Sequence, residues 1–403
     1  MSNNSKTARA RFDAAAPMSS RPAAMLALLC MLGASAFTAA GAQVIVSAND
    51  GKQVRSGDAV AGPFPDEVLT LSLDRAGRPQ VLGRVNAPAT LNGPPVSITV
   101  APNARFALVT SAQRFGPDNK LQPYGVVSMI DISVPTKPRV VQSLELPPGA
   151  MGVTMTRDTK LALIVSASDD SVSVLSITPG KDMKLVSTIR LEPKAEPRDV
   201  VIAPDSRSAY VVRFGDGKIT RLLIDGTTVT RGADIAVGTN PDGAIITHDG
   251  RYLYNTNFGG TPSSGKAGAI STVDLRTQAM VAAITVGPTP EHVALSADGR
   301  YLVSIVGNGS AFTRDAANFA DVVGRVRVYR AGKAELVQLA EANVGHNCQG
   351  ATFSDDGRHI LVQCAVEKTI TTFAFDGSKL TPVENATLTF DTRPGAIATA
   401  RSR

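Results

Sequence analysis

The chain of 403 residues has no tryptophan, 5% aromatic residues and 19% charged residues. So few large or charged side chains argue against long amphipathic helices, whereas 35 Gly and 25 Pro supply the turns of many short strands. Histidine is scarce, with four residues, and cysteine scarcer, with three. The absence of C-x-x-C-H excludes covalently attached c-type haem, and no G-x-S-x-G nucleophile elbow occurs. No dense Lys/Arg block is present, so nucleic acid is not an expected partner.

Long apolar runs are also missing, with one exception. "AAMLALLCMLGASAF" follows Lys6, Arg9, Arg11 and Arg21 and precedes the small residues "AGA" at 40–42. Residues 1–42 therefore read as a secretory signal peptide cut after Ala42, with Met18 as an alternative start. No other run is long enough to cross a membrane. The leader carries four basic groups and one acid, which leaves about +3 of the formal +6 on the exported chain. The expected location is the periplasm or the exterior. Cys348 and Cys364, the two cysteines beyond the leader, can bridge in that oxidising setting. They flank an A–B hairpin centred near Asp356, which sets them on opposed residues of neighbouring strands.

What the chain does contain is a phrase written over and over. "PRDVVIAPDSRSAYVV", "PDGAIITHDGRYLYNT", "PEHVALSADGRYLVS" and "CQGATFSDDGRHILVQ" share an opening, an alternating run, a turn and a second run. The turn recurs at Asn103, Asp158, Asp205, Asp249, Asp298 and Asp356, at intervals of 44–58 residues. Between these anchors lie alternating runs such as "KITRLLIDG" and "AISTVDLR", each followed by a further short run. Every unit reads as four short strands, A to D, with period-2 alternation. One such sheet cannot bury both of its faces, but a radial stack can, so the expected fold is an all-β, seven-bladed propeller over 43–403. The chain ends in a lone strand A, Pro394–Ala400, and begins with strands B to D within 43–85, which together complete the seventh blade.

Phrases such as "PDGAIITHDGRYLYNTN" and "AISTVDLRTQAMVAAITVG" resemble the YVTN-repeat propellers of the lactonase-like seven-bladed superfamily. The resemblance covers nearly all of the exported chain. It implies the fold firmly and function loosely, because the family includes lactone hydrolases, surface-layer repeats and propellers of unknown role. Its hydrolase branch implies Arg-His after the strand-opening proline and a Glu on the next B–C loop. Here Arg198 matches, while Asp199 stands for the His and Arg213 for the Glu.

The long segments 47–67, 111–125, 255–268 and 306–324 all fall between strands B and C, on the face where strands A begin. Long loops gathered on one face mark a functional face. Counting back from each turn puts Arg198, Asp242, Glu291, His292 and Gln349 on that rim, with His346 and Asn347 on the link before blade 6. Glu291 and His292 are expected as an acid–base pair, with Arg198 holding an anion or oxyanion. Asp242, His346, Asn347, Gln349 and Arg213 are expected ligand contacts. A metal set of Glu291, His292, Asp242 and His346 has no supporting H-x-x-x-H spacing, and no cofactor is expected. The expected activity is binding of a small polar molecule or a periplasmic protein by a monomer, with lactone ring opening as the alternative.

Overall fold

The repeated turn is a local hydrogen-bond device. In "THDGR" the Thr247 hydroxyl donates to Asp249 Oδ1 at 2.6 Å, and the Arg251 N–H donates to the same oxygen at 3.0 Å. Ser296–Asp298–Arg300 and Ser354–Asp356–Arg358 repeat this arrangement at 2.6 and 3.0 Å. The residue after each Asp takes positive φ, from 69° to 73° at Gly250, Gly299 and Gly357, which is why glycine stands there. A tight Asx turn then delivers the chain from strand A to strand B.

The computed structural model describes residues 43–400, apart from 56–57, 61, 63 and 261–265. The expected leader, 1–42, lies outside the described residues. Seven four-stranded antiparallel sheets form the blades. Blade 3, for example, comprises strands A to D at Pro197–Ile202, Ser208–Arg213, Lys218–Asp225 and Thr228–Ala236. Blades 1, 2, 4, 5 and 6 begin with strands A at Ile98–Val100, Ala150–Met155, Pro241–Ile246, Pro290–Leu295 and Cys348–Phe353. Blade 7 joins the two ends of the chain, with Arg393–Thr399 as strand A and Ile45–Asp50, Glu67–Leu73 and Pro79–Asn86 as B to D.

Alternating strands give each sheet two apolar faces, and neighbouring blades cover them. Seven hydrophobic clusters result, each shared between neighbours, from Val46 with Ile98 to Leu361 with Leu69. Strands A pack side by side around the ring, including blade 7 against blade 1. Cys348 and Cys364 are register partners in blade 6 and form a disulfide. Among the described residues no helix is long and apolar enough to cross a membrane.

One expected loop is largely strand. In blade 1 strands B and C run as Phe106–Phe115 and Leu121–Asp131, paired out to Phe115↔Leu121, so most of 111–125 is a projecting hairpin. Cross-strand pairs such as Gln113↔Pro123 continue the ladder where the sequence suggests a loop.

Strand A carries a bulge near its start in blades 2 to 6, for example between Pro241 and Ala244 and between Cys348 and Ala351. The backbone N–H freed by a bulge can turn to the preceding blade. Ala244 donates to Asp199 Oδ2 at 2.9 Å, and Ala351 donates to His292 Nδ1 at 3.2 Å. These bonds clasp blade 4 to blade 3 and blade 6 to blade 5.

Candidate functional site

The bulges decide which rim residues meet. Arg198, Asp242 and Glu291 occupy matching positions at the starts of strands A in three consecutive blades. Arg198 Nη1 lies 3.4 Å from Asp242 Oδ1, and its guanidinium stacks 3.6 Å from the centre of the Phe214 ring. Phe214 in turn meets Phe258 edge-on at 5.5 Å. Asp242 is fully buried, and its Oδ2 has no hydrogen-bond partner. Burial pushes Asp242 up to about 7, with the Arg198 charge opposing and the Asp199 charge adding to the rise. Burial also raises Glu291 well above the ordinary glutamate range, reinforced by the Asp242 charge and opposed by Arg198. Arg198 thus pairs with Asp242 while the Glu291 carboxyl feels the charge of both, and near neutral pH the two acids cannot both ionise cheaply. The cluster can donate and accept protons around one cation.

The link between blades 7 and 1 lies over this region. Every other link from strand D to strand A has six residues or fewer, whereas this one runs from Ala87 to Ser97. Its Pro94 and Pro95 are buried. A β-carbon placed on Gly243 of blade 4 would lie 3.8 Å from Pro94 Cβ, and one on Gly350 of blade 6 would lie 3.3 Å from Pro95 Cβ. The link therefore reaches over the start of the channel to blades on its far side. Lys52 anchors its base, donating to the Ala89 carbonyl at 3.1 Å while paired with Asp50 and Asp66. The length of "APATLNGPPVS" is the one sequence signal that could have revealed this cap.

The other expected site residues lie apart from the cluster. His292 is buried, with Nδ1 engaged by the backbone of the next blade, so that nitrogen is not a free base. Arg213, expected as a ligand contact, is fully buried within blade 3. Its guanidinium is bonded to Asp216, Asp234 and Thr220, and it pairs with Glu192 at 2.6 Å. Three carboxylates compensate its charge inside the blade. His346 is nearly buried, its Nδ1 2.5 Å from Glu367 and its Nε2 2.7 Å from the Phe319 carbonyl, and its ring stacks on Phe319 at 3.9 Å. Gln349 donates to Asn347 Oδ1 at 3.0 Å, and Asn347 adopts φ 45°. Among the described residues no group of three His, Cys, Asp or Glu side chains could hold a metal ion.

Asp242 makes stability depend on pH in a definite direction. Its folded-state affinity for protons exceeds that of the unfolded chain, so stability should fall as pH rises from 3.8 through about 7. Asp242→Asn should remove that slope and unfold later than the native protein at pH 8, by on the order of 1–3 kcal/mol, with little difference at pH 4. Denaturant titrations at several pH values check this. A variant that is less stable at pH 8 would show that Asp242 is ionised and needed by Arg198.

This architecture is a seven-bladed β-propeller. A family model described as "Lactonase, 7-bladed beta-propeller" matches residues 148–319, a span that includes Arg198, Asp242 and Glu291. A candidate 6-phosphogluconolactonase from Bacteroides uniformis superposes with TM-score 0.67 at 13% identity, covering 89% of this chain and 99% of its own. The periplasmic gluconolactonase PpgL of Pseudomonas aeruginosa gives TM-score 0.64 at 15% identity, over 88% of this chain and 99% of its own. Hydrazine synthase of Kuenenia stuttgartiensis also superposes, with TM-score 0.56 and 18% identity over 72% of this chain and 79% of its own. At such identities the likeness concerns the fold alone. No curated protein matches the chain.

Proposed function

We propose that this is an exported propeller that binds a small polar molecule on its top face, through Arg198, Asp242 and Glu291. The observation that carries this reading is the convergence of those three groups from consecutive blades. A protonated carboxyl donates to a carbonyl or hydroxyl oxygen, an ionised one accepts from hydroxyls, and the guanidinium holds an acidic group. Ligands of the hydroxy-acid and lactone class offer all of these partners. Export is supported by the reading of residues 1–42 as a leader and by the Cys348–Cys364 bridge, which belongs to an oxidising compartment.

A second reading is hydrolytic opening of a lactone ring, favoured because the lactonase family model spans all three residues. In that chemistry an ionised carboxylate takes a proton from water as the water attacks the carbonyl carbon. Arg198 stabilises the oxyanion, and the second, protonated carboxyl returns a proton to the leaving ring oxygen.

One experiment separates the readings. The purified protein is incubated with a panel of sugar lactones and hydroxy acids, with and without EDTA, following both ring opening and heat of binding. Binding without turnover is the expected outcome, and turnover would establish the hydrolase reading. Glu291→Gln or Arg198→Met should weaken binding about 10-fold or more while moving the melting temperature little. His248→Ala, in a turn on the opposite face, should be silent. Native affinity in both rim variants would remove the site from the top face.

A further inference from the structure

We propose that the top face carries a second site, a pocket between blades 5, 6 and 7 that binds a small organic anion by its carboxylate or phosphoryl group. The pocket encloses about 420 Å³, enough for a molecule of sugar-acid size. Its wall gathers three cations from separate elements. Arg314 comes from the B–C loop of blade 5, Lys368 from the B–C turn of blade 6 and Arg393 from the first residue of strand A in blade 7. Asp315 is the one acidic residue on that wall.

These cations are poorly compensated. The Lys368 amine donates to the Asp391 carbonyl at 3.0 Å, and Arg314 stands 5.9 Å from the centre of the Phe319 ring. Among the described residues neither pairs with a carboxylate. Arg393 pairs with Asp50 at 3.0 Å, an aspartate it shares with Lys52, and its Nε is buried without a hydrogen-bond partner. An acidic ligand in the pocket would screen these like charges. Burial pushes the Lys368 amine below its ordinary range. The Asp391 charge opposes this, while the charges of Arg393 and Arg314 act in the same direction as burial.

The surroundings are built to hold shape. The blade 5 loop is tied to the link before blade 6 by the His346 contact to Phe319 and by the Asn347 N–H donating to Ser310 Oγ at 3.2 Å, while Glu367 holds His346 from the B–C turn of blade 6. The Cys348–Cys364 bridge sits beside two lining residues, Asn347 and Ala365. Asn347, Thr313 and Gln53 add polar side chains that can meet ligand hydroxyls. The pocket shares no lining residue with the Arg198 cluster. It stands or falls separately.

Isothermal titration of the purified protein tests it, using inorganic phosphate, glucose 6-phosphate and gluconate, with glucose as the neutral control. At least one anion should bind while glucose does not, and added salt should weaken binding. Lys368→Met and Arg314→Gln should each weaken it about 10-fold or more, whereas His248→Ala, on the opposite face, should leave it unchanged. Tighter binding of the phosphates assigns a phosphoryl group, and tighter binding of gluconate assigns a carboxylate. No binding of any anion at about 10 mM would overturn the proposal. So would binding that Arg198→Met abolishes and the two pocket variants leave intact, with circular dichroism confirming that all three variants fold.

Discussion

A chain ending at Arg393 should lose the stability of the closed ring, with a melting temperature at least about 10 °C below that of the full chain. The deleted strand is wholly buried and pairs with Ile45–Asp50 from Ile45↔Thr399 to Asn49↔Pro394. Its loss strips Ala396, Ile397 and Ala398 from the clusters on both sides of blade 7. It also leaves Gln363 Nε2 without the Ala396 carbonyl, and strand B of the blade without one edge of its ladder. Lost burial and unmatched backbone groups together amount to on the order of 10 kcal/mol. The uncovered edge should also promote self-association. A synthetic peptide of residues 393–400 added in trans should restore part of the stability by re-pairing with Ile45–Asp50. Unchanged melting would mean that the two ends of the chain do not close the ring.

Arg213→Met should be the most damaging single substitution of a charged residue in blade 3, costing about 2–4 kcal/mol in denaturant unfolding. The guanidinium has no exposed surface and holds Asp216, Asp234 and Glu192 together, with Arg231 as the second cation of the network. Methionine fills most of the volume but leaves three carboxylates facing one another. They are partly hydrated, so the cost stays below that of a fully buried orphan charge. The acid limb of stability should change as well. Partial burial pushes Asp234 up, but hydrogen bonds from Thr220 and Arg231 and the charge of Arg213 outweigh it and hold Asp234 below its ordinary range. Glu192 is likewise lowered, with burial opposing and Arg231 and Arg213 prevailing. For carboxyls lowered on folding, stability is present above their unfolded values and is lost as pH falls through the folded ones. The native protein should therefore lose stability steeply below about pH 4, and the variant more gradually. Equal slopes would show that Arg213 is not what holds these groups ionised.

Local and periodic features were legible in the sequence. The Ser/Thr-x-Asp turn announces itself because its bonds join residues within five positions of one another. Period-2 runs identified the strands because successive side chains point to opposite faces of a sheet, although strands such as Ser208–Arg213 are buried throughout. The complementary ends predicted the seventh blade, and the symmetry of Cys348 and Cys364 about Asp356 predicted their register.

What the sequence by itself determined is therefore a ring of seven blades, the way it closes and the face that bears the long loops. The grouping of Arg198 with Asp242 and Glu291 was also in reach, because equivalent positions of consecutive repeats become neighbours in a ring. Counting back from the turns did not reveal what the residues just beside them would bond to. Strand A bulges between the turn and the rim, and one extra residue reverses which side faces the channel. Asp199 and His292 were thereby turned into clasps between blades. Only the tertiary structure decided that Arg213 would be enclosed by acids from three segments of the chain, and that Pro94 and Pro95 would reach over the channel. It alone brought Arg314, Lys368 and Arg393 to one pocket. Those placements depend on contacts between residues tens to hundreds of positions apart, and no local propensity or period encodes them.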